Sequence, residues 1–181
     1  MNNDEISAQA AEIISSDREH IWHHLTPHNA FKNSDPLIIK SGVGMRVTDI
    51  KGTEYLDATS GGVWSVNVGY GRESIANAVR DQLLEMCYFA NSAGSIPGAK
   101  FAERLLQKMP EMQDAEGNNK GKVYYSNSGS EANEKVYKMV RQLAHINGDG
   151  RRHKIIFRDR DYHGSTIGAL SSTGHQQRKE Q

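Results

Sequence analysis

The sequence predicts an α/β protein, on three observations. A strand, helix and strand rhythm runs from Lys122 to Arg158; a turn of small polar residues, "NSGS", joins the first strand to the helix; and the front half carries a helix followed by short apolar runs broken by glycines. A strand, crossover helix and second strand of this length make a parallel, right-handed βαβ unit. Such strands need cover on both faces, which one crossover cannot supply. The expectation is therefore the front part of a larger α/β protein, or a chain whose sheet is buried by a partner.

Taken in order, Asp4 to about Leu25 reads as an amphipathic helix, with Ile6, Ala10, Ile13 or Ile14, and Ile21 near helical spacing and "TP" at Thr26 and Pro27 stopping it. Its end carries His20, His23, His24 and His28. Imidazoles on one helix face can bind zinc, but no HExxH or cysteine accompanies them, and a solvated or partner-facing helix end is the better reading. From Leu37 to Asp57 short runs rich in Ile, Val and Tyr are punctuated by "SGVG" and "DIKG", the pattern of a small antiparallel meander. The glycine-rich connection "TSGGVWSVNVGYG" leads to a helix over Glu73–Met86, with Ala76, Val79, Leu83 and Met86 on one face. A further helix over Pro97–Met109 turns Ala102, Leu105, Leu106 and Met109 inward, with proline tolerated in its first turn. After the polar loop "QDAEGNNKG" come strand Lys122–Ser126, helix Ala132–Asn147, loop "GDGRRH" and strand Lys154–Arg158.

At 181 residues, with 36% hydrophobic and 24% charged residues, the chain is long enough and ordinary enough to be globular. Lys and Arg number 22 and Asp and Glu number 22, which removes any bulk electrostatic case for nucleic acid or an anionic membrane as partner. The single cysteine, Cys87, forms no internal disulfide or CxxC motif and reads as a half-buried thiol on a helix in a reducing compartment. The first residues lack the basic and apolar pattern of a secretory signal, and no apolar stretch reaches membrane-spanning length, so a cytoplasmic protein is expected.

The turn Asn127–Ser130 lies where ligands sit in open α/β sheets, beyond the carboxyl end of a strand. Gly129 lets backbone amides approach an anion, Ser128 and Ser130 add hydroxyl donors, and the helix beginning near Glu131 aims unpaired N–H groups at the turn. Neither GxxxxGK[ST] nor GxGxxG is present. Ser128 to Glu131 also fits S-x-x-E, a capping box that needs no ligand. The second loop, "DRDYHGSTIGALSSTG", places Tyr162 and His163 at the carboxyl end of the other strand. An aromatic and an imidazole beside a phosphate cup suit a planar, phosphorylated heterocycle.

These residues carry a resemblance. "YYSNSGSEANE" followed by "RDRDYHGSTIGALSSTG", and preceded by "LDATSGGVWSVNVGYG", resembles the N-terminal part of class III pyridoxal-phosphate-dependent aminotransferases, the ω-amino acid:pyruvate group of fold type I. The resemblance runs from about Pro36 onward. It implies an incomplete fold type I transferase, with residues 1–70 as a small-domain segment of helix and meander and 71–181 as the first part of the large cofactor-binding domain. It implies pyridoxal 5'-phosphate as cofactor, its phosphate bound by Ser128, Gly129 and Ser130, with Tyr162 stacked on the pyridine ring and His163 beside it. Trp64 would line the substrate pocket, in an active site formed at a homodimer interface; a packed core tryptophan is the competing reading.

Members of the family carry, further downstream, an aspartate for the pyridine nitrogen and the Schiff-base lysine. Lys135, Lys138 and Lys154 do not inherit that role by position, so this chain alone is expected not to transaminate. The expected reaction of the whole enzyme moves an amino group from a small ω-amino donor, of taurine or β-alanine type, to pyruvate, giving alanine. The small residues Ser92, Ala93 and Gly94, where relatives acting on bulky aromatic amines tend to carry aromatics, favour a small polar donor. The competing expectation is a non-catalytic remnant that binds phosphate ligands or docks on an intact subunit.

Overall fold

The structure, a computed structural model, describes residues 3–24, 26–118, 120–148 and 150–179. The side chain of Ile6, and Leu25 at the expected helix end, lie outside the described residues, as do Asn119 and Asp149 within their loops. The chain forms two compact units, Met1–Asn91 and Ser92–Gln181.

In the first unit, α1 spans Asn3–His20 and buries Ala10 and Ile14, one helical turn apart. The helix stops short of its expected end because the histidines that follow turn the chain. The His23 ring bonds Asp17 Oδ1 at 2.7 Å, and its backbone N–H donates to His28 Nε2 at 2.9 Å. Phe31 packs edge-on to both rings, at 5.0 and 5.8 Å between centroids. The histidine cluster thus closes the end of a helix.

Strands β1 (Ile39–Val43), β2 (Arg46–Asp49) and β3 (Glu54–Leu56) form the expected antiparallel meander, in that order. Val43 pairs with Arg46 across a two-residue turn whose first position, Gly44, has φ +60°, the backbone a II′-type hairpin requires. Asp49 organises the second turn from a buried position, accepting the N–H groups of Lys51 at 2.9 Å and Thr53 at 2.8 Å and the Tyr55 hydroxyl at 2.9 Å. Burial works against its charge, but these donors outweigh it and its pKa stays below the ordinary value. Asp35 ties α1 to this turn, pairing with Arg18 at 2.7 Å and Lys51 at 2.6 Å.

Beyond β3, Asp57 holds the glycine-rich connection. One carboxylate oxygen accepts Gly61 N–H at 2.6 Å and the Tyr70 hydroxyl at 2.7 Å, and the other accepts Thr59 N–H at 3.0 Å. Helix α2 follows over Glu73–Glu85, and its apolar residues Ile75, Val79 and Leu83 are exposed. Cys87 is a correction to the sequence reading: it lies past the end of α2 and is exposed.

In the second unit, α3 (Ile96–Gln107) is capped by Ser95, whose hydroxyl accepts Gly98 N–H at 3.2 Å. Helix α4 spans Gly129–Ile146 and α5 spans Ile167–Ser171. The segments 122–126 and 154–158 flank α4 as expected but are not strands: no ladder joins them to each other or to another segment among the described residues. Apolar, β-branched sequence dictates an extended backbone locally, whereas a strand also needs a hydrogen-bonding neighbour, which consecutive segments of an α/β sheet need not be to each other. Ile156, within the second segment, is 95% exposed. Among the described residues, no helix is long and apolar enough to cross a membrane.

The Tyr70 hydroxyl foremost, then the N–H of Gly61 and Thr59, holds Asp57 down from 3.8 to about 2. Its contribution to stability is therefore complete above about pH 4 and lost as pH falls through about 2. Carboxyl titration by NMR should find the Asp57 midpoint near 2, and Tyr70→Phe should move it up toward 3.8. An unchanged midpoint in that variant would refute this account of the turn.

Candidate functional site

Helix α4 begins at Gly129, earlier than the sequence suggested, because Ser128 caps it from an extended conformation. The Ser128 hydroxyl accepts Glu131 N–H at 3.2 Å, and a Glu131 carboxylate oxygen reaches back to Asn127 N–H at 2.9 Å. This is close to a capping box, displaced by one residue on its return arm.

The cap leaves donors over. The N–H groups of Gly129 and Ser130 take no hydrogen-bond partner among the described residues, and a side chain built on Gly129 would meet nothing within 4 Å. A hydroxyl that accepts an N–H still has its own proton to donate, as the Ser128 hydroxyl does here. Ser126, just before the turn, has a buried hydroxyl without a partner. An 18-residue helix adds the positive end of its dipole. Open space, unused N–H groups, free hydroxyl protons and an orphaned buried hydroxyl are the donor set a phosphate monoester needs, so the residues fit such a group.

The loop after segment 154–158 is docked onto this helix start. Ser165 N–H donates to Ser130 Oγ at 3.1 Å, and Asn133 Nδ2 donates to the His163 carbonyl at 2.6 Å. Fully buried Thr173 accepts His163 N–H at 3.1 Å, with the carbonyls of Gly164 and Ala169 also at 3.1 Å from its hydroxyl. Ser130 and the loop bearing Tyr162 and His163 are thus brought together. The Tyr162 ring is 49% exposed; the Arg178 guanidinium lies 4.9 Å from its centroid and the His175 ring 6.2 Å away.

Trp64 belongs to the first unit and is 77% exposed. It ends the turn Ser60–Trp64 with φ +58°, after Gly61 at +83° and Gly62 at +79°. A bulky residue held at positive φ marks stored backbone strain. Sequence reasoning missed Asn133, Glu134, Thr173 and Arg178. The first two had a signal in their place on the turns of α4 next to the cap, while the other two are brought in by the path of the chain after α5.

Gly164 sits at φ +136°, and a Cβ there would lie 2.4 Å from Ser130 Oγ and 2.8 Å from the Ala169 Cβ. Gly164→Ala is expected to cost about 1–3 kcal/mol, the range for a strained backbone or an overpacked contact. Thermal unfolding measures it, and a melting temperature equal to the parent's would show the loop is not packed this closely.

Comparison with known proteins shows the family of the chain. The class-III aminotransferase family model matches residues 29–181. The taurine–pyruvate aminotransferase of Rhodobacter capsulatus is 55% identical over 175 residues, covering 97% of this chain and 36% of that protein. The hypotaurine/taurine–pyruvate aminotransferase of Paracoccus denitrificans is 55% identical, covering 93% of this chain and 35% of that protein. Among solved structures, an (S)-enantioselective ω-transaminase from Thermomicrobium roseum matches with a TM-score of 0.85 and 33% identity, over 94% of this chain and 37% of that one. The chain spans about a third of the length of these relatives. Its fold is that of a part of a fold type I transaminase, as the sequence predicted. The chain belongs to the class-III aminotransferases, a family of pyridoxal 5'-phosphate-dependent enzymes.

Proposed function

We propose that this chain supplies the phosphate-holding end of a pyridoxal 5'-phosphate site, in an enzyme that transfers an amino group from a small ω-amino donor to pyruvate. The observation that carries the proposal is the start of α4, with its unpartnered Gly129 and Ser130 N–H groups tied through Ser130 and Ser165 to the loop of Tyr162 and His163. Ser128 and Ser130 each already accept an N–H, which leaves their own protons to be donated to an anion. Gly129 keeps the approach open. Tyr162 offers a ring face for the heterocycle, with His163 beside it. When bound, the cofactor supplies an electron sink for the bonds of the amino-bearing carbon. The part of this chain is to hold and orient it.

Trp64 is assigned to the substrate on the resemblance of "GGVW" to the family, supported by its positive φ on a strained turn. A small polar donor, of taurine or β-alanine type, is supported by Ser92, Ala93 and Gly94, and by relatives named for taurine at 53–55% identity. On this reading none of Lys135, Lys138 and Lys154 carries the covalent role. Lys135, nearest the cup in sequence, is engaged by the Tyr125 carbonyl and lies 4.0 Å from the Tyr124 ring centroid. A cytoplasmic homodimer is the assembly this reading carries for the whole enzyme.

Equilibrium binding tests the cup: Ser130→Ala should weaken uptake of pyridoxal 5'-phosphate about tenfold, the loss of one hydrogen bond to a charged group, and weaken uptake of phosphate-free pyridoxal less, through the lost tie to Ser165 alone. Equal losses for both ligands would count against it. Borohydride reduction should trap no adduct at any single lysine. Donor preference is read in a chimera joining this chain to the remaining length of the Rhodobacter capsulatus enzyme, where preference for bulky aromatic amines would sink the small-donor reading.

A further inference from the structure

The loop that carries Tyr162 and His163 packs few apolar side chains: its buried residues Ala169, Ser172 and Thr173 are small and mostly polar. Its short helix α5 is preceded by Thr166, whose side chain makes no cap bond to that helix. The cap comes from another helix. Glu134 Oε1 accepts the Thr166 hydroxyl at 2.6 Å, Gly168 N–H at 2.9 Å and Ala169 N–H at 3.1 Å. Gly168 is what admits the carboxylate, since a Cβ there would lie 2.4 Å from Glu134 Oε2.

Glu134 does not act alone on its face of α4. Ser130, Asn133 and Glu134 stand at i, i+3 and i+4, the spacing that puts three side chains on one face of a helix. Between them they hold Ser165 N–H, the His163 carbonyl and the start of α5, which are successive points along the loop. The same helix start presents the N–H groups of the cup. A single rigid element therefore carries the phosphate donors and fixes the loop bearing the ring-facing tyrosine.

We propose that Glu134 is a positioning residue for the cofactor site: by capping α5 from α4, it fixes the Tyr162–Ser165 loop relative to the phosphate cup. This rests on the reading of that cup as a pyridoxal 5'-phosphate site. The Thr166 hydroxyl foremost, then the N–H groups, holds Glu134 below the ordinary carboxylate range in spite of burial, so it is an ionised acceptor throughout the neutral range.

The test is a binding titration of this chain with pyridoxal 5'-phosphate, in the parent and in Glu134→Ala, Glu134→Gln, Thr166→Val and Ser130→Ala. Affinity and the induced circular dichroism of the bound chromophore are both read well below each variant's melting temperature. Glu134→Ala should bind about tenfold more weakly, the loss of a charge-assisted contact, and lose the induced dichroism that reports a fixed ring orientation. Glu134→Gln, which keeps an oxygen in the same place, should recover most of both. Thr166→Val removes one of the three bonds, should cause a smaller loss in the same direction, and keeps the proposal testable if Glu134→Ala does not fold. If Glu134→Ala melts earlier but retains parental affinity and dichroism while Ser130→Ala binds weakly, Glu134 is a structural cap and this proposal is overturned by itself. Parent protein that takes up no pyridoxal 5'-phosphate, or a Ser130→Ala variant that binds as the parent does, overturns the reading of the cup and this proposal with it.

Discussion

Carboxylates that accept backbone N–H groups hold four of the turns of this molecule. Asp49 does so for the second turn of the meander, Asp57 for the glycine-rich turn that ends in Trp64, Glu131 for the residue before the α4 cap, and Glu134 for the start of α5. A turn leaves N–H groups without a partner along the chain, and an ionised acceptor satisfies them more strongly than a neutral one. The need is acute here because the buried apolar residues among those described are few and small or medium-sized: Ala10, Ile14, Val47 and Ala169. Loops that cannot be fixed by packing are fixed by hydrogen bonds.

That division of labour explains how one turn can be both a cap and a cup. A cap is usually taken as the alternative to a ligand site, since its side chain satisfies donors that a ligand would otherwise meet. At Ser128 the two uses fall on different atoms. The hydroxyl oxygen accepts Glu131 N–H, the hydroxyl proton stays available, and the Gly129 and Ser130 amides lie outside the capping pattern. The cap fixes the first turn of α4, and a fixed turn costs less to bind to than one that must be ordered by its ligand.

The apolar content of the chain does not follow the same economy. Val136, Val140 and Leu143 on α4, Val79 and Leu83 on α2, and Tyr124 and Ile156 on the segments 122–126 and 154–158 are all exposed. Helical spacing on α4 and α2 marks a face built for burial, and β-branched residues at 154–158 mark a segment built for a sheet. The relatives this chain matches are about three times its length, and the faces are consistent with elements that larger proteins of the family bury.

Much was legible in the residues themselves. The antiparallel meander, the helices on either side of the polar loop, the cap at Ser128 and the family could be read from the sequence, because each depends on short-range chemistry: glycine at a positive φ, a side-chain oxygen three residues before an amide, small polar residues in a fixed order. The tertiary structure decided what depends on distant partners. It left 122–126 and 154–158 without a ladder, ended α1 at His20 through contacts with Asp17 and His28, turned Trp64 and Cys87 outward, and set Glu134 and Thr173 against a loop some thirty or ten residues away in the chain. Local sequence specifies backbone conformation and the donors and acceptors on offer, but which acceptor meets which donor is settled only when the chain has folded back on itself.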